Sequence, residues 1–217
     1  MPSSRRVPEA TVARLPVYLR VLSEVAGERV RTISSDLLAE RAGVNAAQVR
    51  KDLSHLGSYG TRGVGYDVDY LIREINRQLG LAEQHRVAIV GVGNLGRALA
   101  AYQGFPVRGF RIVAAFDADP AKVGDRLGDC VVSSITTLER VLAAQRVDVA
   151  IITTPASAAQ GVVDALVAAG VTSLLNFAPT GVQVPPGVSI RQVDLAVELQ
   201  ILSFYEHQHR AAVPEAG

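Results

Sequence analysis

Apolar residues in the first eighty positions recur at three- and four-residue steps, and in the stretch that follows they come as short β-branched runs. Val12, Leu15, Leu19, Leu22 and Val25 form the first stripe and predict a helix over 8–28, because such steps share one face of a helix with 3.6 residues per turn. Pro16 lies inside this run and is expected to kink the helix or delay its firm start. Ser34-Ser35 offers an N-cap to a helix over Asp36–Ala42, with the acid Asp36 in its first turn and Gly43 at its end. Asn45 caps the next helix, which runs to about Leu56 with Val49, Leu53 and Leu56 on its buried face. Two short helices joined by a glycine-containing turn make a helix-turn-helix pattern.

The segment Gly57-Ser-Tyr-Gly-Thr-Arg-Gly-Val-Gly-Tyr66 carries four glycines in nine residues, which suits a small hairpin and converts the reading to a winged helix. A linking helix is expected over Asp69–Leu81. From Arg86 the pattern changes to strands at Val87–Val90, Ile112–Phe116, Val147–Thr153 and Thr172–Asn176, with a last one at Val188–Val193. Helices are expected near 94–103, 120–123, 136–145 and 157–169. Alternating strands and helices imply a mostly parallel sheet covered on both faces. Asp194 then caps a terminal helix on which Leu195, Leu199 and Leu202 form one stripe beside Val197, Ile201 and Phe204. That surface is broad for a terminal helix and calls for a partner. The predicted class is α/β: a winged helix-turn-helix domain over 1–81, a Rossmann doubly wound parallel sheet over 82–193, and a dimerisation helix and tail over 194–217.

Composition narrows the function classes. At 217 residues, with 48% hydrophobic and 20% charged positions, the chain suits two small folded domains. The longest apolar runs are too short to span a bilayer, and the N-terminus shows no apolar core of a signal peptide, so a cytoplasmic location is the expectation. The lone Cys130 excludes an internal disulfide and a cysteine zinc site, and no metal is expected. Net charge is +1, but residues 1–80 carry 12 Lys/Arg against 9 Asp/Glu while residues 81–217 carry 10 against 12. The basic half is the nucleic-acid candidate.

Two constellations carry chemistry. Gly91-Val92-Gly93-Asn94-Leu95-Gly96 follows an apolar strand and opens a helix, the context in which a G-x-G-x-x-G turn binds the pyrophosphate of a dinucleotide. Asp117 ends the next strand 21 residues past Gly96, where an acid binds both ribose hydroxyls and repels a 2′-phosphate, favouring NADH/NAD+ over the phosphorylated forms. Thr154 and Pro155 complete the candidate pocket. On the 45–56 helix, Gln48, Arg50, Lys51, Ser54 and His55 fall on the arc away from the core. Gln, Arg and Lys are the side chains that pair with base edges in the major groove, and Ser35 joins them as a candidate contact. Arg62, at the expected hairpin tip, is placed to enter a minor groove or pin a phosphate. No residue set for catalysis accompanies the pocket. His55 lies on the DNA helix, His85 precedes the first strand, and His207 and His209 sit in the tail.

Several stretches resemble the Rex redox-sensing transcriptional repressors of bacteria: Gln48–Ser54, Gly57–Tyr66, Val90–Gly96, Phe116-Asp117 with Pro120–Gly124, and Asn176–Pro179. The match runs from about Val7 to Phe204. The resemblance implies a homodimer that binds inverted-repeat operator DNA and exchanges its C-terminal helices between subunits. It also implies release of DNA by NADH and competition by NAD+. It places Tyr102 near the nicotinamide and pairs Arg20 with Asp194 across the dimer in the DNA-bound form. Two positions depart from some members of that family: Asn94 where an Arg is found, and Leu195 where an aromatic is found. Two other readings stand beside it, a small NAD-dependent oxidoreductase and a DNA-binding sensor of another nucleotide such as coenzyme A.

Overall fold

The computed structural model describes residues 7–57, 60, 61 and 63–212. The chain divides into two compact units, 1–83 and 84–217.

In the first unit, helix α1 (Glu9–Gly27) runs unbroken through Pro16 and buries Leu15, Tyr18, Leu22 and Val25. A two-residue strand β1 (Thr32–Ile33) leads into α2 (Ser35–Ala42), where the Ser34 hydroxyl accepts the Leu37 N–H at 3.1 Å. Gly43 closes α2 in the left-handed conformation, φ 68°. That conformation turns the chain at little cost only for glycine. Asn45 then caps α3 (Ala46–His55), accepting the Gln48 N–H at 2.8 Å. Strand β2 (Tyr66–Asp67) pairs antiparallel with β1, and Thr61 bridges Gly65 just before it. Asp67 caps α4 (Val68–Gln78). One apolar cluster, including Leu22, Leu38, Val49, Leu53, Leu71 and Ile75, holds these elements together.

The second unit is a seven-stranded sheet. In chain order its elements are β3 (His85–Val90), α5 (Asn94–Ala100), α6 (Gly104–Val107), β4 (Phe110–Asp117), β5 (Arg126–Leu127), β6 (Cys130–Ser134), α7 (Leu138–Gln145), β7 (Val149–Ile152), α8 (Ala156–Ala168), β8 (Ser173–Asn176), β9 (Ser189–Gln192) and α9 (Leu195–Ala212). Across the sheet the order is β5-β6-β4-β3-β7-β8-β9, parallel except for β5 against β6. Its six parallel strands have the doubly wound order in which the chain reverses direction between the first and fourth strands, here β3 and β7. Side chains alternate across the sheet. Ala88 and Val90 pack in the cluster that includes Leu142, Val163 and Leu166, and Val87 and Ile89 in the cluster flanked by Leu99 and Phe105.

The structure departs from the sequence expectation at several places, the two-residue strands β1 and β5 among them. Residues 120–122 form a single 3-10 turn, not a crossover helix, and the next parallel strand is β6, which the periodicity did not mark out. Only Cys130 and Val132 of β6 are buried, so it has no long apolar run. The short helix α6 is also additional. Cys130 begins β6 and donates its thiol to Ile112 O at 3.2 Å. Burial, with Asp129 beside it, pushes that thiol up in pKa and away from thiolate chemistry.

Candidate functional site

Doubly wound sheets bind ligands outside the carboxyl ends of the strands at the point of reversal. Here that point is flanked by the turn after β3, Gly91–Gly96, and the turn after β7, Thr153-Thr154-Pro155. The two turns are tied together by the Thr153 hydroxyl, which donates to Gly91 O at 2.6 Å. Gly91 is left-handed, φ 100°, and a Cβ there would stand 2.7 Å from Thr153 O. Gly96 is buried at the start of α5, and a Cβ there would land on Gly91 O. The protein's own packing therefore demands glycine at both positions. Gly93 differs. Its φ of −82° is open to any residue, and nothing lies within 4 Å of a Cβ placed there. Among the described residues no contact requires glycine at this position, and the open space leaves the backbone accessible to a ligand. The Thr154 hydroxyl is buried without a hydrogen-bond partner among the described residues, a donor left for a polar ligand. Pro155 is exposed at the N-cap of α8, and Asn94 and Leu95 are exposed on the first turn of α5.

Asp117 lies at the end of β4, 8% exposed. Its Oδ2 accepts the Val92 N–H at 2.7 Å and the Lys122 ammonium at 3.0 Å, and its Oδ1 accepts the Asp119 N–H at 2.9 Å. Burial pushes this carboxyl up, but the amides of Asp119 and Val92 and the Lys122 charge outweigh it, so its pKa lies below the usual carboxylate range. A carboxylate offers about four lone-pair sites, so Asp117 stays ionised with capacity for a further donor. Lys122 ends the 3-10 turn and was not marked as a site residue by the sequence pattern. These features fit a dinucleotide: an open backbone at Gly93 for pyrophosphate, an ionised acid for ribose hydroxyls and an orphan hydroxyl at Thr154. Tyr102 is 52% exposed, and its ring lies over Gly104, edge-on to Phe105 at 5.1 Å.

In the first unit, Arg50 and Lys51 are exposed on α3. Arg50 donates to the hydroxyl of Ser35 on α2 at 2.8 Å, which brings two candidate DNA contacts together. The other three are partly withdrawn. Gln48 donates its amide to Asp52 at 2.9 Å, Ser54 donates to Lys51 O at 2.7 Å, and the Nε2 of His55 is buried without a partner among the described residues. Arg62 lies outside the described residues. Arg20 is exposed on α1, and Asp194 caps α9, accepting the Ala196 N–H at 2.9 Å.

Asp52 is the residue that sequence reasoning missed. It is fully buried on α3. Its Oδ1 accepts from the Thr11 hydroxyl, Arg14 Nη2 and Gln48 Nε2 at 2.8, 2.8 and 2.9 Å, and its Oδ2 from Arg14 Nε and the Tyr18 hydroxyl at 2.6 and 2.8 Å. Burial pushes its pKa up, but the Arg14 fork and the bonds from Tyr18, Thr11 and Gln48 bring it to about 2. The signal was in the sequence: position 52 falls on the same helical arc as Val49, Leu53 and Leu56, and a charge at a core position needs a partner.

Among the described residues no group of three His, Cys, Asp or Glu side chains converges as a metal site, and no helix is long and apolar enough to cross a membrane. Two family models match the chain: "Putative DNA-binding protein N-terminus" over residues 6–54 and "CoA binding domain" over residues 82–180. A redox-sensing transcriptional repressor Rex of Streptomyces griseus is 58% identical over 94% of this chain and 81% of its own. The crystal structure of RSP in complex with β-NAD+ and operator DNA superimposes with a TM-score of 0.88 at 36% identity, covering 94% of each chain. RSP in complex with β-NADH gives 0.86 at 34%, covering 95% of this chain and 97% of RSP. With identity and structure both extending over nearly its whole length, the chain belongs to the Rex family of redox-sensing transcriptional repressors.

Proposed function

We propose that the protein binds operator DNA through α3 and senses NADH/NAD+ in the crevice between the turns after β3 and β7, so that NADH lifts repression. The observation that carries this is the pairing, in one chain, of an exposed Arg50 and Lys51 on a capped helix-turn-helix with a glycine turn that stands open at Gly93. RSP, a solved Rex-family relative, is seen with NADH and with NAD+ plus operator DNA, which supports the same two ligands here.

The geometry and the family resemblance support the following residue roles. Backbone at Gly93 admits pyrophosphate, Asp117 accepts ribose hydroxyls, and Thr154 donates its free hydroxyl. Tyr102, by family resemblance, flanks the nicotinamide. Reduction makes the nicotinamide ring neutral where NAD+ is cationic, and an apolar pocket disfavours an unpaired buried charge. The switch is then a population shift, no larger than the difference in NADH affinity between two states of the protein.

A homodimer on an inverted repeat completes the reading. In the single chain α9 exposes Leu195, Leu199, Leu202, Ile201 and Phe204, each at least 47% accessible. This apolar surface suits a helix exchanged between subunits, as the family resemblance implies. The same resemblance pairs Arg20 with Asp194 of the second subunit in the DNA-bound state. Losing such a pair penalises only the state that contains it. Because the twofold axis presents two α3 helices, the operator is an inverted repeat. A cytoplasmic setting goes with this role.

The match to a CoA binding domain over 82–180 favours one second reading, a coenzyme A sensor. Its ribose 3′-phosphate would meet the Asp117 carboxylate, an unfavourable pairing of like charges. Calorimetric titration of NADH, NADPH and coenzyme A into the full chain separates the readings. NADH binding more tightly than NADPH, with coenzyme A silent, is the expected result. Coenzyme A binding with NADH silent would overturn it.

A further inference from the structure

A glutamine amide free on a helix surface flips between two orientations that exchange its acceptor and its donors. On α3 that freedom is removed. Gln48 Nε2 donates to Asp52 Oδ1 at 2.9 Å, one turn along the same helix. Asp52 is fully buried and anchored on α1 by Thr11, by both arms of Arg14 and by the Tyr18 hydroxyl. An ionised carboxylate only accepts, so the amide oxygen of Gln48 cannot take the place of its nitrogen there. Asp52 uses one of the two N–H bonds, which leaves Oε1 and the second N–H for another partner.

We infer that Asp52 is a positioning residue for base reading: anchored on α1, it holds the Gln48 amide with an acceptor and one donor left for an adenine edge. This rests on the reading of α3 as the DNA-recognition helix. An Oε1 and N–H together match the N6 donor and N7 acceptor of adenine. Fixing them before binding removes an ordering cost and rejects the flipped arrangement. Each recognition half-site therefore carries an A·T pair opposite Gln48.

The test selects duplexes from a randomised pool with the full-length protein, then measures anisotropy on the selected duplex and its single-base-pair variants. The proteins are wild type, Gln48→Ala, Asp52→Asn, the double variant and Arg14→Lys, each checked for folding by circular dichroism. Wild type is expected to prefer adenine at one position by on the order of five- to a hundredfold. Gln48→Ala flattens that preference. Asp52→Asn flattens it at the same position and adds nothing in the double variant. If Asp52→Asn does not fold, Arg14→Lys decides: it keeps the charge but loses the two-armed grip on Asp52, and the preference falls at that position alone. Asp52→Asn or Arg14→Lys with the adenine preference intact and affinity reduced equally for all sequences overturns the inference. A wild-type protein that draws no motif from the pool fails earlier and refutes the DNA reading itself.

Discussion

Two buried aspartates, one in each unit, serve opposite ends. Asp52 is closed: five side-chain hydrogen bonds from its own unit fill its oxygens. Asp117 is open: two backbone amides and Lys122 hold it, and lone pairs remain beside a turn where Gly93 meets nothing. Both are kept ionised below the usual carboxylate range, and in both the favourable partners outweigh burial. What differs is the source of those partners. Side chains from a second helix make a carboxylate part of the scaffold, whereas backbone amides from its own loops leave it able to receive a ligand.

The largest effect expected is on stability. Asp52→Ala leaves Arg14, Tyr18, Thr11 and Gln48 without their shared acceptor, and breaking a buried pair from one side costs about 3–5 kcal/mol. Urea unfolding of the full chain should show that loss. A change within about 0.5 kcal/mol, the range of an ordinary surface substitution, would put Asp52 outside the scaffold. Asp117→Ala should instead weaken NADH binding by about 1.5–3 kcal/mol, the worth of a hydrogen bond to a charged group, and narrow the gap between NADH and NADPH. Equal titration curves for variant and parent would remove Asp117 from the ribose site.

Acid sharpens the comparison. Asp52 moves from the ordinary 3.8 to about 2 on folding. A lowered folded pKa means the folded state binds its proton later than the unfolded state. The stability it contributes, about 2 kcal/mol, is therefore intact above about pH 4 and lost as pH falls from there through about 2. The Asp117 contribution has the same sign. Unfolding free energies measured between pH 5 and 2 should decline across that window, and the slope should be shallower in Asp52→Asn.

The smallest and most selective contrast lies within the glycine turn. Gly91→Ala forces a Cβ against Thr153 O at a positive φ and should cost about 1–3 kcal/mol of stability. Gly93→Ala should leave stability within about 0.5 kcal/mol while lowering NADH affinity by roughly tenfold or more, the loss expected when a group obstructs a close backbone contact. If Gly93→Ala binds NADH as the parent does, that open position is not where the ligand approaches.

Much of this was legible in the sequence because the signals were local. Asn45 and Ser34 cap the helices expected of them, Gly43 turns the chain between them, and Gly91 to Gly96 run from the end of β3 into the first turn of α5. The strand β6 was not legible, since only alternate residues of it are buried. Nor was the arrangement of Gln48. Helical periodicity placed it on the arc away from the core, but the carboxylate that takes its amide is set by contacts 34 to 41 residues away in sequence. Lys122 escaped notice for the same reason, because its role appears only once the turn after β4 folds back on Asp117.

The central claim is that one chain couples a nucleotide crevice to an operator-reading helix. Its most direct test is fluorescence anisotropy of a labelled duplex, selected by the protein itself, titrated with NADH and separately with NAD+. NADH should displace the duplex, NAD+ should leave it bound, and added NAD+ should shift the NADH midpoint upward by competition. Operator affinity unchanged by NADH at concentrations that saturate the crevice would contradict the account.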